Sequence, residues 1–169
     1  MPMNHTELQA ENLYSQLETE LTSALAGMPK LAIVGIYSGG AWLAERLAKK
    51  LAISDVGFVD ASFYRDDFAK RGLKEEVKPS QIPFEVEGAN ILLVDDVLYT
   101  GRTTRAAINT LFDYGRPAKI MLAALVDRGG RELPISADFV SQTIALPNEQ
   151  MLVLQKADDG RLSLTIDHA

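Results

Sequence analysis

Residues 91–103 read Ile-Leu-Leu-Val-Asp-Asp-Val-Leu-Tyr-Thr-Gly-Arg-Thr, and this stretch decides the fold class. Its first four residues form a continuous apolar run, which is typical of a strand buried on both faces of a parallel sheet. Two carboxylates follow at the expected end of that strand, and apolar residues at helical spacing begin at Ala106. We therefore predict an α/β domain in which a buried strand, an acidic pair, a loop and a helix follow one another.

The loop between this strand and helix is rich in groups that bind anions. A helix start presents unpaired N–H groups and the positive end of a dipole, so it can hold a phosphate. Gly101 lets the backbone approach an anion closely. Three hydroxyl donors surround it: Thr100, Thr103 and Thr104. Asp95 and Asp96 do not suit phosphate, but they suit Mg²⁺ or the two hydroxyls of a ribose, so the pattern indicates a sugar phosphate.

The same stretch resembles the signature of the type I phosphoribosyltransferases, which has apolar residues, two acids, a short spacer and a Thr-Gly-x-Thr loop. The longer run 94–103 is similar to the PyrR family of pyrimidine-operon regulators with uracil phosphoribosyltransferase activity. Three further segments carry this resemblance, which spans about residues 31–139: 64–67, 115–117 and 125–134. The alternative is a doubly wound domain whose buried strand ends in two acids by chance.

The resemblance implies a type I phosphoribosyltransferase fold, with a central, mainly parallel sheet flanked by helices and with a hood and a flexible loop over the site. It implies the reaction of uracil with phosphoribosyl diphosphate to give UMP and diphosphate, with Mg²⁺ as cofactor. Asp95 and Asp96 would be catalytic residues that hold the ribose hydroxyls directly or through the metal. The residues that would bind the 5′-phosphate are Thr100, Gly101, Arg102, Thr103 and Thr104.

A second strand, loop and helix precede this unit, with the strand predicted at 31–36 and the helix at 41–51. The glycines of the loop do not match the G-x-G-x-x-G of dinucleotide-binding turns, and Ser38 does not fit the G-x-S-x-G of hydrolases. The resemblance implies that Ser38, Gly39 and Gly40 bind diphosphate through backbone amides, often beside a strained peptide bond. The basic residue that is common in this loop of the family is absent here.

The resemblance implies roles for two further segments. Residues 64–82 are highly charged with weak periodicity, so on composition alone they would form a mobile surface excursion. The resemblance implies instead a flexible loop that closes over the diphosphate, with Arg65 as a catalytic contact. Residues 127–134 follow another apolar strand and would form the hood that receives the base. Val126 and Asp127 would lie beside uracil, largely through main-chain contacts.

The remaining pattern predicts the other elements of a single domain over residues 1–169. Leucines at helical spacing indicate a helix at 6–26, and Gly115 would end the helix that follows the signature loop. Residues 157–160 read as a hairpin turn. The predicted strands are 31–36, 56–62, the signature strand beginning at 91, 119–126, 139–145, 151–155 and 162–166.

Composition limits the function further. The chain has no cysteine and no apolar run near the roughly 20 residues of a membrane span, so we expect a cytoplasmic protein without disulfides or membrane contact. The net charge of −6 argues against a broadly basic nucleic-acid-binding protein. Residues 98–131 nevertheless contain six bases and only two acids. The resemblance also implies assembly into homodimers or higher homo-oligomers.

The resemblance also implies binding of pyrimidine leader messenger RNA. RNA-binding members of the family carry added bases just after their Arg-Glu-Leu-Pro segment, where this chain has Ser136, Ser141 and Gln142. Arg131 is left as the candidate RNA contact. The alternative function is a UMP-sensing, RNA-binding regulator with little or no transferase activity.

Overall fold

A computed structural model describes residues 8–61 and 80–168 of the chain. Three helices flank seven strands in this part of the molecule. The helices are α1 (Ala10–Ala24), α2 (Gly39–Leu51) and α3 (Arg102–Tyr114). The strands are β1 (Leu31–Ile36), β2 (Val56–Val59), β3 (Asn90–Leu98), β4 (Lys119–Asp127), β5 (Phe139–Thr143), β6 (Gln150–Lys156) and β7 (Leu162–His168).

Five of the strands form one parallel sheet in the order β2-β1-β3-β4-β5, and β6 and β7 form an antiparallel hairpin. The signature strand β3 lies at the centre, where Val94 is the register partner of both Gly35 and Ala123. Its apolar run is buried on both sides, as the sequence predicts for a central parallel strand. The predicted α/β class with a mainly parallel sheet is therefore confirmed.

The two faces of the sheet carry separate apolar cores. On one face α1, α2 and the β6–β7 hairpin pack together, with Leu17, Leu21 and Leu47 fully buried among them. On the other face α3 packs through Ala107 and Leu111. Each helix therefore buries one apolar stripe against the sheet and leaves its polar side to solvent.

Several predicted boundaries need correction. The signature strand runs on to Leu98, so Asp95 and Asp96 lie inside β3 rather than beyond its end, because parallel pairing with β4 continues as far as Leu98 opposite Asp127. Helix α2 begins at Gly39, two residues early, and β2 ends at Val59. The first helix spans 10–24 rather than 6–26, and positions 6 and 7 lie outside the described residues.

The predicted turn at 157–160 is confirmed, because the Gly160 N–H donates to the Ala157 carbonyl and the hairpin closes there. Within residues 8–61 and 80–168, no helix is long and apolar enough to cross a membrane.

One ion pair fastens the hairpin to the two helices on its face. The Arg46 guanidinium donates to both carboxylate oxygens of Glu11, at 2.8 and 3.0 Å, and also to the Gly160 carbonyl. The Glu11 carboxylate accepts a third bond, of 2.7 Å, from the Leu162 N–H. The hydrogen bond from Arg46 lowers the pKa of Glu11 below its usual value of 4.5, against an opposing effect of burial.

Glu11→Gln should lower the free energy of unfolding at pH 7 by about 0.5–1 kcal/mol, since the pair is partly exposed. A carboxylate with a lowered folded-state pKa stabilises the fold above its unfolded pKa, and this contribution is lost as the pH falls through the folded value. Urea unfolding should therefore show a difference at pH 7 that shrinks as the pH falls below 4.5. Glu20→Gln, on an exposed position of the same helix, is the control; a difference that is independent of pH would contradict this account.

Candidate active site

Three loops that the sequence singled out lie at one edge of the sheet. Strands β1, β3 and β4 are adjacent and parallel, so the loops that follow their carboxyl ends lie side by side. In open α/β sheets this edge is where ligands bind. The loops are the Gly-rich loop (37–40), the signature loop (99–101) and the hood (128–134), and these names are kept below.

The Gly-rich loop places the start of α2 against the middle of the signature strand. A Cβ on Gly40 would overlap the Val94 carbonyl oxygen, and a Cβ on Gly39 would overlap the Asp96 carboxylate. Only glycine permits this approach, which brings the first N–H groups of α2 beside the acidic pair. Ser38 makes no side-chain cap bond to α2 in the described structure, and the Tyr37–Ser38 peptide bond is cis.

The two carboxylates of the acidic pair have different surroundings. Asp95 is only 6% exposed, and its Oδ1 accepts the Asp96 N–H at 2.8 Å. Asp96 is partly exposed, its Oδ1 accepts the Val97 N–H at 2.7 Å, and its Oδ2 faces the start of α2 at Gly39. Asp96 is therefore the carboxylate more open to a ligand, whereas Asp95 supports the backbone beneath it.

The signature loop turns into α3 through Gly101, whose φ of +95° is readily adopted only by glycine. In the described part of the chain, Gly101 provides no side-chain cap and the first turn of α3 contains no acid. The Thr100 hydroxyl accepts the Arg102 N–H at 3.2 Å. Thr104 is only 1% exposed, and its buried hydroxyl has no hydrogen-bond partner among the described residues. These features suit the binding of an anion at the start of α3.

The hood touches the signature loop directly. The N–H groups of Glu132 and Leu133 donate to the Thr100 carbonyl at 2.9 and 3.1 Å. The exposed side chains of Arg102 and Glu132 form an ion pair of 2.9 Å across the same junction. The loop assigned to the 5′-phosphate and the hood therefore form one connected unit.

The residues assigned to the base lie where β4 ends. Val126 is fully buried within the sheet, and the Asp127 carbonyl accepts the Ile144 N–H. The Asp127 carboxylate accepts the Gly129 N–H at 2.9 Å and Arg131 Nη2 at 2.6 Å. Burial acts to raise the pKa of Asp127, but these two donors outweigh it and hold the pKa below its usual value, so the carboxylate is charged at neutral pH.

Arg131, the candidate RNA contact, is also engaged inside the hood. Its Nη1 donates to the Tyr99 carbonyl at 2.8 Å and its Nε to the Ile135 carbonyl at 2.7 Å, besides the bond to Asp127. Three of the five N–H groups of a guanidinium are thus used. Arg65, predicted to contact diphosphate, lies outside the described residues.

Sequence reasoning missed two residues that organise this edge, Tyr99 and Arg128. The Arg128 guanidinium lies 3.9 Å from the centre of the Tyr99 ring, and Arg128 is almost completely buried. The two positions belong to different loops and show no pattern in sequence. The only sequence feature at Arg128 is a charged residue within a glycine-rich segment. Such a residue is usually exposed, so the sequence indicated a surface position and not a buried one.

The carboxylates of the site decide which metal it could hold. In the described ranges, no group of three or more His, Cys, Asp or Glu side chains could hold a metal ion by itself. Mg²⁺ usually binds one or two protein carboxylates and completes its shell with water and substrate phosphates. The partly exposed Asp96 beside an anion-binding helix start fits that kind of site.

The parallel sheet, with the acidic pair inside its central strand and the start of α2 packed against that pair, is the arrangement of a type I phosphoribosyltransferase. The chain matches the model of the phosphoribosyl transferase domain over residues 9–151. It is 51% identical over 160 residues to the bifunctional protein PyrR of Ralstonia nicotianae, covering 94% of this chain and 92% of that protein. It is also 51% identical over 150 residues to the bifunctional protein PyrR of Nitrosococcus oceani, covering 85% of each. The chain therefore belongs to the PyrR family of phosphoribosyltransferases.

Solved structures agree with this assignment. A hypoxanthine phosphoribosyltransferase from Staphylococcus aureus superposes with a TM-score of 0.61 and 25% sequence identity, covering 85% of this chain and 76% of that chain. The hypoxanthine phosphoribosyltransferase of Trypanosoma cruzi, at 18% identity and a TM-score of 0.59, shows the same fold. The predicted type I phosphoribosyltransferase fold is confirmed.

Proposed function

We propose that this chain transfers the phosphoribosyl group of phosphoribosyl diphosphate to uracil, giving UMP and diphosphate, and that it regulates pyrimidine genes. Family membership confirms the predicted transferase and PyrR-type regulator, and it does not favour a regulator with little or no activity. The single observation that carries the chemistry is that the Asp96 carboxylate lies against the start of α2 at Gly39, on the strand that leads into the start of α3.

Each part of the site has its own role in the proposed phosphoribosyl transfer. The start of α3, with the hydroxyls of Thr100, Thr103 and Thr104, binds the 5′-phosphate, and the start of α2 binds the diphosphate through its backbone N–H groups. The ribose then lies over β3, where Asp95 and Asp96 stabilise the positive charge that develops as the bond to diphosphate breaks. No side chain is needed as a covalent nucleophile, so rate enhancement comes from positioning and electrostatics.

Mg²⁺ is the cofactor of this proposal. Asp96 lies beside the helix start that would bind a diphosphate, and a carboxylate and a diphosphate in adjacent positions repel each other unless a cation lies between them. Asp96, with Asp95 beneath it, would hold the ion, and Mg²⁺ would neutralise the leaving diphosphate. Arg65 is proposed as a further diphosphate contact.

The base would lie against the carboxyl end of β4, beside the main chain of Val126 and Asp127. Hydrogen bonds from Gly129 and Arg131 hold the Asp127 carboxylate, so the backbone around it is fixed before the base arrives. Uracil is proposed from the family. Hypoxanthine is the competing base, because two structural neighbours with 26% and 25% sequence identity are hypoxanthine phosphoribosyltransferases.

The test is UMP formation from labelled uracil and phosphoribosyl diphosphate, with and without Mg²⁺. Turnover that requires the metal and prefers uracil over hypoxanthine is the expected result. Turnover with hypoxanthine at equal or greater kcat/KM would refute the proposed base. A folded protein that binds UMP but shows no turnover would refute the transferase.

Thr104→Val tests the 5′-phosphate site through two opposite effects. The buried hydroxyl has no partner among the described residues, so removing it should leave stability unchanged or raise it by up to about 1 kcal/mol. If the hydroxyl donates to the 5′-phosphate, the same change should weaken UMP binding roughly tenfold. Calorimetric titration with UMP and urea unfolding measure the two effects.

Thr110→Val is the matched control on the same helix. Its hydroxyl already donates to the Ala106 carbonyl at 3.1 Å, so its loss should leave UMP affinity unchanged. If Thr104→Val leaves the affinity for UMP as it is in the parent, the hydroxyl does not face the phosphate.

The regulatory part of the proposal involves pyrimidine leader RNA. The local excess of bases in residues 98–131 suits contacts with phosphates. The described contacts in the hood use three of the five N–H groups of Arg131, and Arg131 is still the proposed RNA contact. Leader RNA should bind in a salt-dependent manner that UMP shifts. Salt-dependent binding that is equal for an unrelated RNA would contradict sequence-specific regulation.

The cellular location and the oligomeric state are also part of this proposal. Uracil salvage and control of messenger RNA are cytoplasmic processes, so we propose a cytoplasmic location. Homodimers or higher homo-oligomers remain a prediction from the family resemblance, which light scattering at several protein concentrations would measure.

A further inference from the structure

We propose that Arg128 is a positioning residue that fixes the distance between the base and 5′-phosphate subsites. With Tyr99 and Asn148 it forms what we call the arginine clasp. This inference rests on the proposed function, because it concerns how the site holds a nucleotide that spans both subsites.

The guanidinium of Arg128 is buried and is bound by backbone carbonyls. It is only 5% exposed, and it donates to the carbonyls of Gln150 at 2.7 Å, Pro147 at 3.0 Å and Leu146 at 3.4 Å. These carbonyls belong to the connection between β5 and β6 and to the first residue of β6. A buried guanidinium is costly unless it is paired in this way, and its fork geometry fixes both the side chain and the segment that it binds.

The same guanidinium stacks on Tyr99, the first residue of the signature loop, with its central carbon 3.9 Å from the ring centre. The Tyr99 hydroxyl donates to Asn148 Oδ1 at 2.9 Å, so the ring is held at its tip as well as on its face. A Cβ on Gly130 would come within 2.5 Å of the ring, which shows that the hood packs tightly on it. A desolvated cation on an aromatic face is a favourable contact of substantial size.

These contacts hold the base subsite and the 5′-phosphate subsite at a fixed position relative to each other. Arg128 directly follows the residues assigned to the base, and its own N–H donates to the Leu98 carbonyl at 3.0 Å. Tyr99 directly precedes Thr100, which begins the 5′-phosphate loop. The clasp therefore locks the base segment and the phosphate loop against each other. UMP contacts both subsites, whereas ribose 5-phosphate contacts only one.

The experiment compares the binding of these two ligands to the full chain and to Arg128→Met, which removes the charge and the fork. UMP affinity should fall at least about tenfold, whereas ribose 5-phosphate affinity should stay within about twofold. A misplacement of about 1 Å can cost a hundredfold in rate, so kcat/KM for uracil should fall roughly 10- to 100-fold. Arg161→Met, at an exposed arginine of the β6–β7 hairpin, should change none of these values.

The selective loss of UMP binding distinguishes positioning from a general loss of structure. Equal losses for both ligands, or no loss for either, would overturn the proposal. If Arg128→Met does not fold, as judged by circular dichroism, Tyr99→Leu removes the other half of the stack and must give the same selectivity. A parent that binds ribose 5-phosphate but neither binds UMP nor turns over uracil would refute the proposed function itself, and the clasp with it.

Discussion

Replacing both Asp95 and Asp96 by asparagine is expected to lower the rate of UMP formation at least about a thousandfold while the chain stays folded. Loss of one preorganised group that stabilises transition-state charge typically costs a hundred- to a thousandfold in rate, and here both carboxylates are removed. The fold should survive because asparagine keeps an oxygen that accepts the N–H groups of Asp96 and Val97.

The two single variants should not be equal. Asp96→Asn should account for most of the loss, because that carboxylate is the more exposed one and borders the start of α2. Asp95→Asn should have the smaller effect on rate, since Asp95 is nearly buried and accepts a backbone N–H.

Steady-state assays with labelled uracil measure both effects, and circular dichroism checks the fold. Asp113→Asn, at an exposed carboxylate of α3, matches each single variant in charge and should keep the parent rate. A double variant with more than about a tenth of the parent activity would mean that the acidic pair does not stabilise the transferring ribose, and the centre of the mechanism would have to be sought elsewhere.

Much of the fold could be predicted because the sheet carries its signal locally. An apolar run at 91–94 and another within 119–126 indicate strands buried on both faces without knowledge of their neighbours. The length of β3 was not predictable in that way. Asp95 and Asp96 look like a strand end, and only the pairing of β3 with β4 extends the strand to Leu98.

The candidate site could also be predicted only where its signal is local in sequence. Loop chemistry such as Thr100-Gly101 is local, so the sequence indicates it. The unequal exposure of the two acids depends on how closely α2 packs on β3, and the sequence alone does not contain that distance. The contact between Tyr99 and Arg128 joins residues of two loops, so no periodicity or spacing reveals it.

Gly40→Ala is the second change with a large expected effect, and it acts on that packing distance. The added Cβ would overlap the Val94 carbonyl oxygen and lie 3.1 Å from the Asp95 Cα, and both belong to the backbone of the central strand. Backbone atoms cannot rotate away as a side chain can, so α2 must move off the sheet. Overpacking of this kind costs roughly 1–3 kcal/mol in the free energy of unfolding.

The displacement should cost more in catalysis than in stability, because the start of α2 is the proposed diphosphate site. We expect kcat/KM for phosphoribosyl diphosphate to fall about a hundredfold or more, measured beside urea unfolding. Gly27→Ala is the control: its φ of +75° is unfavourable for alanine, but its Cβ would meet no described atom within 4 Å. That control should lose about 1–2 kcal/mol of stability and no activity. If Gly40→Ala lost stability to the same extent yet kept its affinity for diphosphate, the close approach of α2 would serve packing alone, and the diphosphate would have to bind away from the helix start.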